Sequence, residues 1–391
     1  MGADVGRRLQ AVRKRRGLSQ RELAAESGVS LPLIRKLEQG ERNDTRLETA
    51  RQLAVALCVP TTQLIADADG DDAPPATQWE PVRQALAATT RSGEPDELPT
   101  VAGLRDVLDS ALPLFSGDRY AELSGILPAL IRDADALAES SGAEGRALRA
   151  RLMQLTGWLL TQTRQFAAAH TALERSLDEA PDAVLGAATV STQCWLLLRE
   201  GRLAAARDLA SHWADDTEPR ISRATPAELS AWGWLLLRLS AASVRDNRPD
   251  EADDALRLAH SAAVAMGREF APGKDFLRAF GPVTVKLKRA ENAMVSDRPD
   301  IVLRLAERTP TAGLRPTSNN RNRHLLDVAE AHVRSRQYEE AVDVLLGIRR
   351  AAPQWLPNQR YAHDILGRVI GRRRTLTPDM RVLADAIGVP L

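Results

Sequence analysis

Three sets of side chains in this 391-residue chain could carry chemistry: six histidines with two cysteines, a basic cluster ahead of residue 65, and tryptophans interleaved with arginines between 151 and 334. The first set is too dispersed for catalysis or metal binding. His324 and His332 lie closest in sequence, and the helix between them would hold them about 12 Å apart, too far to share a metal. A glycine-rich phosphate loop needs a strand to launch it, and no alternating strand run of useful length occurs. The expectation is a protein that is not an enzyme and holds no metal and no cofactor. Cys58 and Cys194 sit in apolar helical stretches, which reads as structural filler in a reducing compartment.

The basic cluster suits a polyanion. From Met1 to Ile65 there are 12 Lys/Arg against 7 Asp/Glu, so this head is +5 while the whole chain is +1. The elements that would present the charge are legible between Leu18 and Gly40. Ser19 with Glu22 three residues on forms a capping box, which predicts a helix over about 20–26. Gly28 stops it, because glycine takes the left-handed conformation without steric penalty, and Ser30 caps the next helix with Pro32 in its first turn. Two short helices joined this way make a helix-turn-helix. A helix from about Val5 to Arg15 should precede them, with Leu9 and Val12 inward. A fourth over about 46–57 and a short fifth over 62–66 should close a five-helix bundle.

Residues from about Asp4 to Ile65 resemble the phage-repressor/Cro type of helix-turn-helix domain, the xenobiotic-response-element family. Leu18-Ser19-Gln20, Leu23-Ala24, Gly28-Val29-Ser30, Ile34, Leu37-Glu38-Gln39-Gly40 and Leu53-Ala54-Val55-Ala56-Leu57 all fall at that family's spacing. The resemblance implies a lambda-repressor-like fold whose second helix of the motif enters the major groove. It places Leu31, Pro32 and Lys36 at base-facing positions with Arg35 beside them. Leu31 and Pro32 would read thymine methyls and groove shape, and Lys36 and Arg35 would donate to guanine. Gln20, Ser30, Arg42 and Asn43 would hold phosphates. It also implies an ion pair between Arg13 and Glu38.

Residues 67–78 carry four aspartates and two prolines with almost nothing apolar, as an acidic, proline-containing hydrated linker does. From Trp79 to Leu391 the periodicity is helical throughout. Tyr338 to Ile348, ending at Pro353, resembles a tetratricopeptide hairpin, and weaker matches centre on Ala169, Ala206, Ala252 and Val302. With Ala341 these anchors are separated by 37, 46, 50 and 39 residues, longer than the tetratricopeptide period of about 34. The fold class expected is therefore all-α, a DNA-binding head (1–66), a linker (67–78) and a tetratricopeptide-like α-solenoid (79–391). Phe280-Gly281-Pro282, Arg323 to Ala329 and Ala351-Ala352-Pro353 add a resemblance to actinobacterial regulators that fuse these two parts. Pro282 to Lys288 departs from that pattern, so no ligand contact is carried over there.

In a tetratricopeptide superhelix the first helix of each pair lines the concave face. By that register the groove would comprise Arg151, Gln154, Trp158, Gln162, Ser191, Trp195, Arg199, Trp234, Arg245, Thr284, Glu291, Arg323, Glu330 and Arg334. Tryptophan beside arginine is a recognition composition, although each tryptophan alone fits core filling as well. Arg368 and Arg372 to Arg374 read as a solvated helix end in preference to phosphate contacts. The chain lacks an apolar signal core, and its most apolar stretch, Trp232 to Val244, is broken by Arg238. Together these features predict a cytoplasmic, nucleoid-associated transcriptional regulator, a homodimer on a two-fold double-stranded DNA operator with no membrane partner. Its repeat domain would bind a peptide, small-molecule or protein effector. The alternative is a protein-interaction scaffold with a tethering or vestigial head.

Overall fold

The computed structural model describes residues 3–41, 47–57, 59, 64, 76–88, 99–270, 279–309, 318–372 and 376–389. Among these the fold is all-α, with one isolated antiparallel bridge between Phe270 and Phe280. The head contains α1 (Ala3–Arg15), α2 (Gln20–Ser27), α3 (Leu31–Glu38) and α4 (Leu47–Ala56). Of the expected fifth helix only Leu64 is described, buried with Leu9, Leu23, Ile34 and Leu53 in the head's own core. Where α1 crosses the end of α3, Gly6 leaves no room for a side chain: a Cβ there would lie 1.9 Å from the Leu37 carbonyl oxygen.

A 3₁₀ turn, Ala76–Trp79, begins within the stretch expected as linker and leads into α5 (Glu80–Ala87). Six helical hairpins follow: α6 (Val101–Ser116) with α7 (Tyr120–Ser140), α8 (Gly142–Gln162) with α9 (Phe166–Asp178), and α10 (Ala183–Arg199) with α11 (Leu203–Asp216). The others are α12 (Pro226–Arg245) with α13 (Pro249–Met266), α14 (Pro282–Val295) with α15 (Pro299–Arg308), and α16 (Ser318–Arg334) with α17 (Tyr338–Ala351). Two further helices, α18 (Arg360–Ile370) and α19 (Pro378–Ile387), complete the array.

One turn makes all six hairpins. Asp118, Arg164, Gly201, Asn247, Asp297 and Arg336 each take a left-handed φ between 54° and 76°. The next residue then donates its N–H to a carbonyl five positions back, as Arg119 does to Leu114 and Gln337 to His332. Five of these six are not glycine, so each stores roughly 1 kcal/mol of backbone strain that docking of the two helices must offset. The expected anchors Ala169, Ala206, Ala252, Val302 and Ala341 lie on the second helices and are at most 2% exposed.

The first helices α8, α10, α12, α14, α16 and α18 pack in series as an inner layer. Gly233 on α12 permits the closest approach, since a Cβ would lie 2.0 Å from the Phe280 ring. The array curls far enough for its ends to touch. Asn319 Nδ2 donates to Asp118 Oδ1 at 3.1 Å, and Ala121 N–H donates to Gln354 Oε1 at 3.0 Å. One apolar cluster joins the two ends through Phe115, Leu123, Leu326 and Trp355. Among the described residues the head touches the array through Asn247, which meets Arg51 at 3.4 Å and the Val59 carbonyl at 3.5 Å. No helix among them is long and apolar enough to cross a membrane.

Candidate functional site

In the head, local sequence fixes the angle between two helices. Ser19 Oγ accepts from the Glu22 N–H at 3.2 Å while Glu22 Oε2 accepts from the Ser19 N–H at 2.7 Å, the reciprocal capping box. Gly28 then turns the chain with φ 70°, and its N–H donates to the Ala24 carbonyl. Helix α3 points Ile34 and Leu37 into the core, 0% and 1% exposed, and presents Pro32, Arg35 and Lys36 to solvent, with Leu31 half-buried. Ser30 occupies the N-cap position but makes no side-chain cap bond. The expected cap is thus a backbone cap only, and the Ser30 hydroxyl is left exposed.

Behind this face, Arg13 and Glu38 form a bidentate pair along one guanidinium edge, Nε to Oε1 at 2.7 Å and Nη2 to Oε2 at 2.8 Å. Arg13 Nη1 also donates to the Leu18 carbonyl at 2.7 Å. Burial alone would raise the Glu38 pKa, but hydrogen bonds from Arg13 and Gln20 outweigh it and hold the carboxyl below its ordinary value. Gln20, expected at a phosphate, donates its amide to Glu38 Oε2 at 2.8 Å and so also braces α2 against α3. Arg42 and Asn43 lie outside the described residues.

The array encloses a second site. A cavity of about 210 Å³ opens on its inner layer and is lined from every inner helix between α8 and α18. Of the expected groove residues, Trp158, Gln162, Trp195, Arg199, Arg245, Glu291 and Arg323 line it. Arg164, Arg238, Lys288 and Arg360 add further cations, and Leu198, Asn319, Asn320 and Tyr361 complete the wall. Arg199 and Arg238 each lie 5.7 Å from the Trp195 ring, and Arg238 lies 5.0 Å from Trp234, stacking that supports guanidiniums away from bulk water. Glu291 is bound by Arg245 at 2.6 Å and Lys288 at 2.8 Å.

The family model described as Helix-turn-helix matches residues 9–64. The chain is also similar to RghRB of Bacillus subtilis (strain 168), described as an uncharacterized HTH-type transcriptional regulator, with 30% identity over 119 residues, 30% of this chain and 79% of that protein. No solved structure matches. The chain belongs to the helix-turn-helix transcriptional regulators. Its α2–α3 unit is the helix-turn-helix of the matched head, and the array lies beyond that head.

Seven expected groove residues of this regulator lie elsewhere, each for a local reason. Ser191 is buried with its carbonyl accepting from Arg238 Nε, and Glu330 is buried where it accepts from Arg334 and Arg368. Arg151 pairs with Asp109 at 3.1 Å, and Gln154 is buried. Trp234 is 4% exposed and packs behind the cavity wall under Arg238 and Lys288. Thr284 is fully buried, with its N–H donating to Glu269 Oε1 at 3.1 Å and its hydroxyl also bound to that carboxylate. Arg334 is taken up by Asp297 and Glu330. Arg368 also differs from expectation: its Nη1 donates to Glu330 Oε1 at 2.6 Å, so it is not a solvated helix end.

Burial and the neighbouring cations Arg323 and Arg164 push the Arg199 pKa down to about 9. Burial does the same to Arg238, to about 10, against the pull of Glu291. Lys288 is lowered by burial as well. For Glu291, burial would raise the carboxyl, but Lys288, Arg245 and Arg323 outweigh it and hold it well below the usual range. Asp327 is pushed up to about 7 by burial and by Glu291. A guanidinium holds its proton far more firmly than any other side chain, so Arg199 and Arg238 stay charged and the shift measures how poorly that charge is compensated.

Proposed function

We propose that this regulator recognises a specific double-stranded DNA operator through α3 and that its tetratricopeptide-like array is a dimerising sensor whose effector binds in the inner cavity. The units read as a head over 1–66, a linker over 67–78 and a sensor over 79–391. The observation that carries the DNA reading is the sidedness of α3, with Ile34 and Leu37 inward and Pro32, Arg35 and Lys36 outward and exposed. Leu31 and Pro32 would meet thymine methyls, Lys36 and Arg35 would donate to guanine, and Ser30 would hold a phosphate. One such helix makes few contacts, so two heads of a homodimer on a two-fold site supply specificity.

An effector that touches every inner helix biases the curvature of the array and so the spacing of the heads. Its effect on operator affinity equals its difference in binding energy between the two curvatures. The test is selection of genomic fragments with the purified full chain, followed by gel shift across a salt series. One enriched two-fold sequence, bound with a steep salt dependence, supports the reading. Absence of any enriched sequence, with a salt slope that Lys36→Ala leaves unchanged, favours the scaffold alternative.

A further inference from the structure

Seven cationic side chains and one carboxylate, Glu291, line the sensor cavity. That carboxylate is already divided between Arg245 and Lys288. Arg199 and Arg323 make no ion pair among the described residues, although both lie in the wall. Burying cations without counter-charge is costly, and helices brought together around them would repel. A polar group in the same wall is unsatisfied too. Asn320 Nδ2, a donor with almost no solvent contact, has no partner. The site is therefore built for a guest that accepts hydrogen bonds from several directions and brings several negative charges in a small volume.

A monocarboxylate would answer only one of Arg199, Arg238 and Arg323, and an extended peptide spreads its charges over a length that a cavity of about 210 Å³ does not provide. Phosphoryl groups meet both demands: each has three terminal oxygens, and guanidinium forks engage them in pairs of parallel bonds. Resting on the reading of the array as a sensor, we propose that its effector is a compact phosphorylated small molecule carrying three or more negative charges, held mainly by Arg199, Arg238 and Arg323. Tyr361 and Trp158 provide flat apolar wall for whatever organic group carries the phosphates.

The test is isothermal titration of the full chain with pyrophosphate, a nucleoside triphosphate, the uncharged nucleoside and citrate, at one pH and ionic strength. Both phosphorylated probes are expected to bind and the nucleoside is not. Arg199→Ala and Arg323→Ala should each weaken pyrophosphate at least about tenfold. Should either alanine variant fail to fold, Arg199→Lys keeps the charge but loses the fork, and a several-fold loss is expected. Failure of the intact chain to bind pyrophosphate at millimolar concentration overturns the proposal, as does binding indifferent to all three variants. Citrate binding more tightly than pyrophosphate through the same arginines overturns the phosphoryl assignment in favour of a polycarboxylate. A gel shift with each probe separates this inference from the sensor reading. Phosphate held in the cavity with no change in operator affinity removes the sensor and keeps the site. A neutral peptide that changes operator affinity through Arg199 keeps the sensor and removes the phosphorylated effector.

Discussion

The head and the array use the same side chains in opposite settings. Arg35 and Lys36 stand in water on the outer side of α3, where they cost little to hold and are screened over about 8–10 Å at ordinary salt. Arg199 and Arg238 face inward across a cavity, stacked on tryptophans and poorly compensated, with their pKa values driven down to about 9 and 10. The first arrangement attracts a long polyanion whose phosphates extend past the protein and leaves discrimination to a few base-edge contacts. The second holds little affinity in reserve for anything large, and its charges count fully only when a guest excludes water. Sign and number of charges are the same kind of fact in both regions, and desolvation is what separates a nucleic-acid surface from a small-anion site.

The comparison can be broken most forcefully at the brace behind α3. The Arg13 and Glu38 side chains are 9% and 1% exposed, so Arg13→Ala would strand a nearly buried carboxylate and lose the bond to the Leu18 carbonyl as well. A loss of roughly 3 kcal/mol is expected, enough to melt a small head at moderate temperature. Because the two regions have separate cores, calorimetry should show the head transition falling and the array transition staying put. A joint fall of both would mean that the head and the array are energetically one unit. Glu38 also sets an acid limit. Its folded pKa lies below its unfolded one, so its contribution is full above the unfolded value and is lost as pH falls through the folded value. The head should therefore lose stability as the medium is acidified through that range.

A smaller effect sharpens the DNA side. Lys36→Ala should reduce affinity for the selected operator by about 1–3 kcal/mol if Lys36 reads a guanine, with the loss concentrated at one base position. A uniform loss over all sequences, with the salt slope reduced by about one, would make Lys36 a phosphate contact instead. The cavity offers no counterpart to that second outcome, because the cations that line it face inward.

Much of the head was legible because its determinants are local. Ser19, Glu22 and Gly28 set two helices and a turn within ten residues, and the structure departs at Ser30, whose hydroxyl is not used in the cap. In the array, buried small residues such as Ala206 and Ala341 marked the second helices correctly. The first hairpin is not legible by that signal, because five residues past its turn at Asp118 stands Leu123 and not a small residue. Seven of the cavity residues followed from helical register. Asn319, Asn320, Arg360 and Tyr361 did not, since they reach the cavity only when the array curls and its ends meet through Asp118 and Gln354. Arg238 was visible as the lone charge in an apolar run, and that is the signal that could have found it: a charge surrounded by core residues must have a polar cavity or a partner. Here it donates Nε to the Ser191 carbonyl at 3.0 Å and lines the cavity with the rest of its guanidinium.

The least effect expected, and the finest test of the cavity, is pH. Asp327 sits behind the wall with Glu291, Arg323, Lys288 and Arg245 as its charged neighbours, and Tyr361 also senses its charge. Burial and Glu291 push its carboxyl up to about 7 against an ordinary value of 3.8. A carboxyl raised on folding contributes stability that is complete below the unfolded pKa and declines as pH climbs through the folded one, so the array should weaken between about pH 4 and 7. For an anionic guest the direction is the same: ionised Asp327 cancels one positive charge, and protonation restores it. Pyrophosphate should therefore bind several-fold more tightly at pH 6 than at pH 8, despite its own loss of charge on acidification. Asp327→Asn should flatten that dependence at the tighter level. A pH profile unchanged by the substitution would mean that Asp327 is screened from the cavity by Arg323 and Lys288, and that the positive excess there is larger than the wall alone provides.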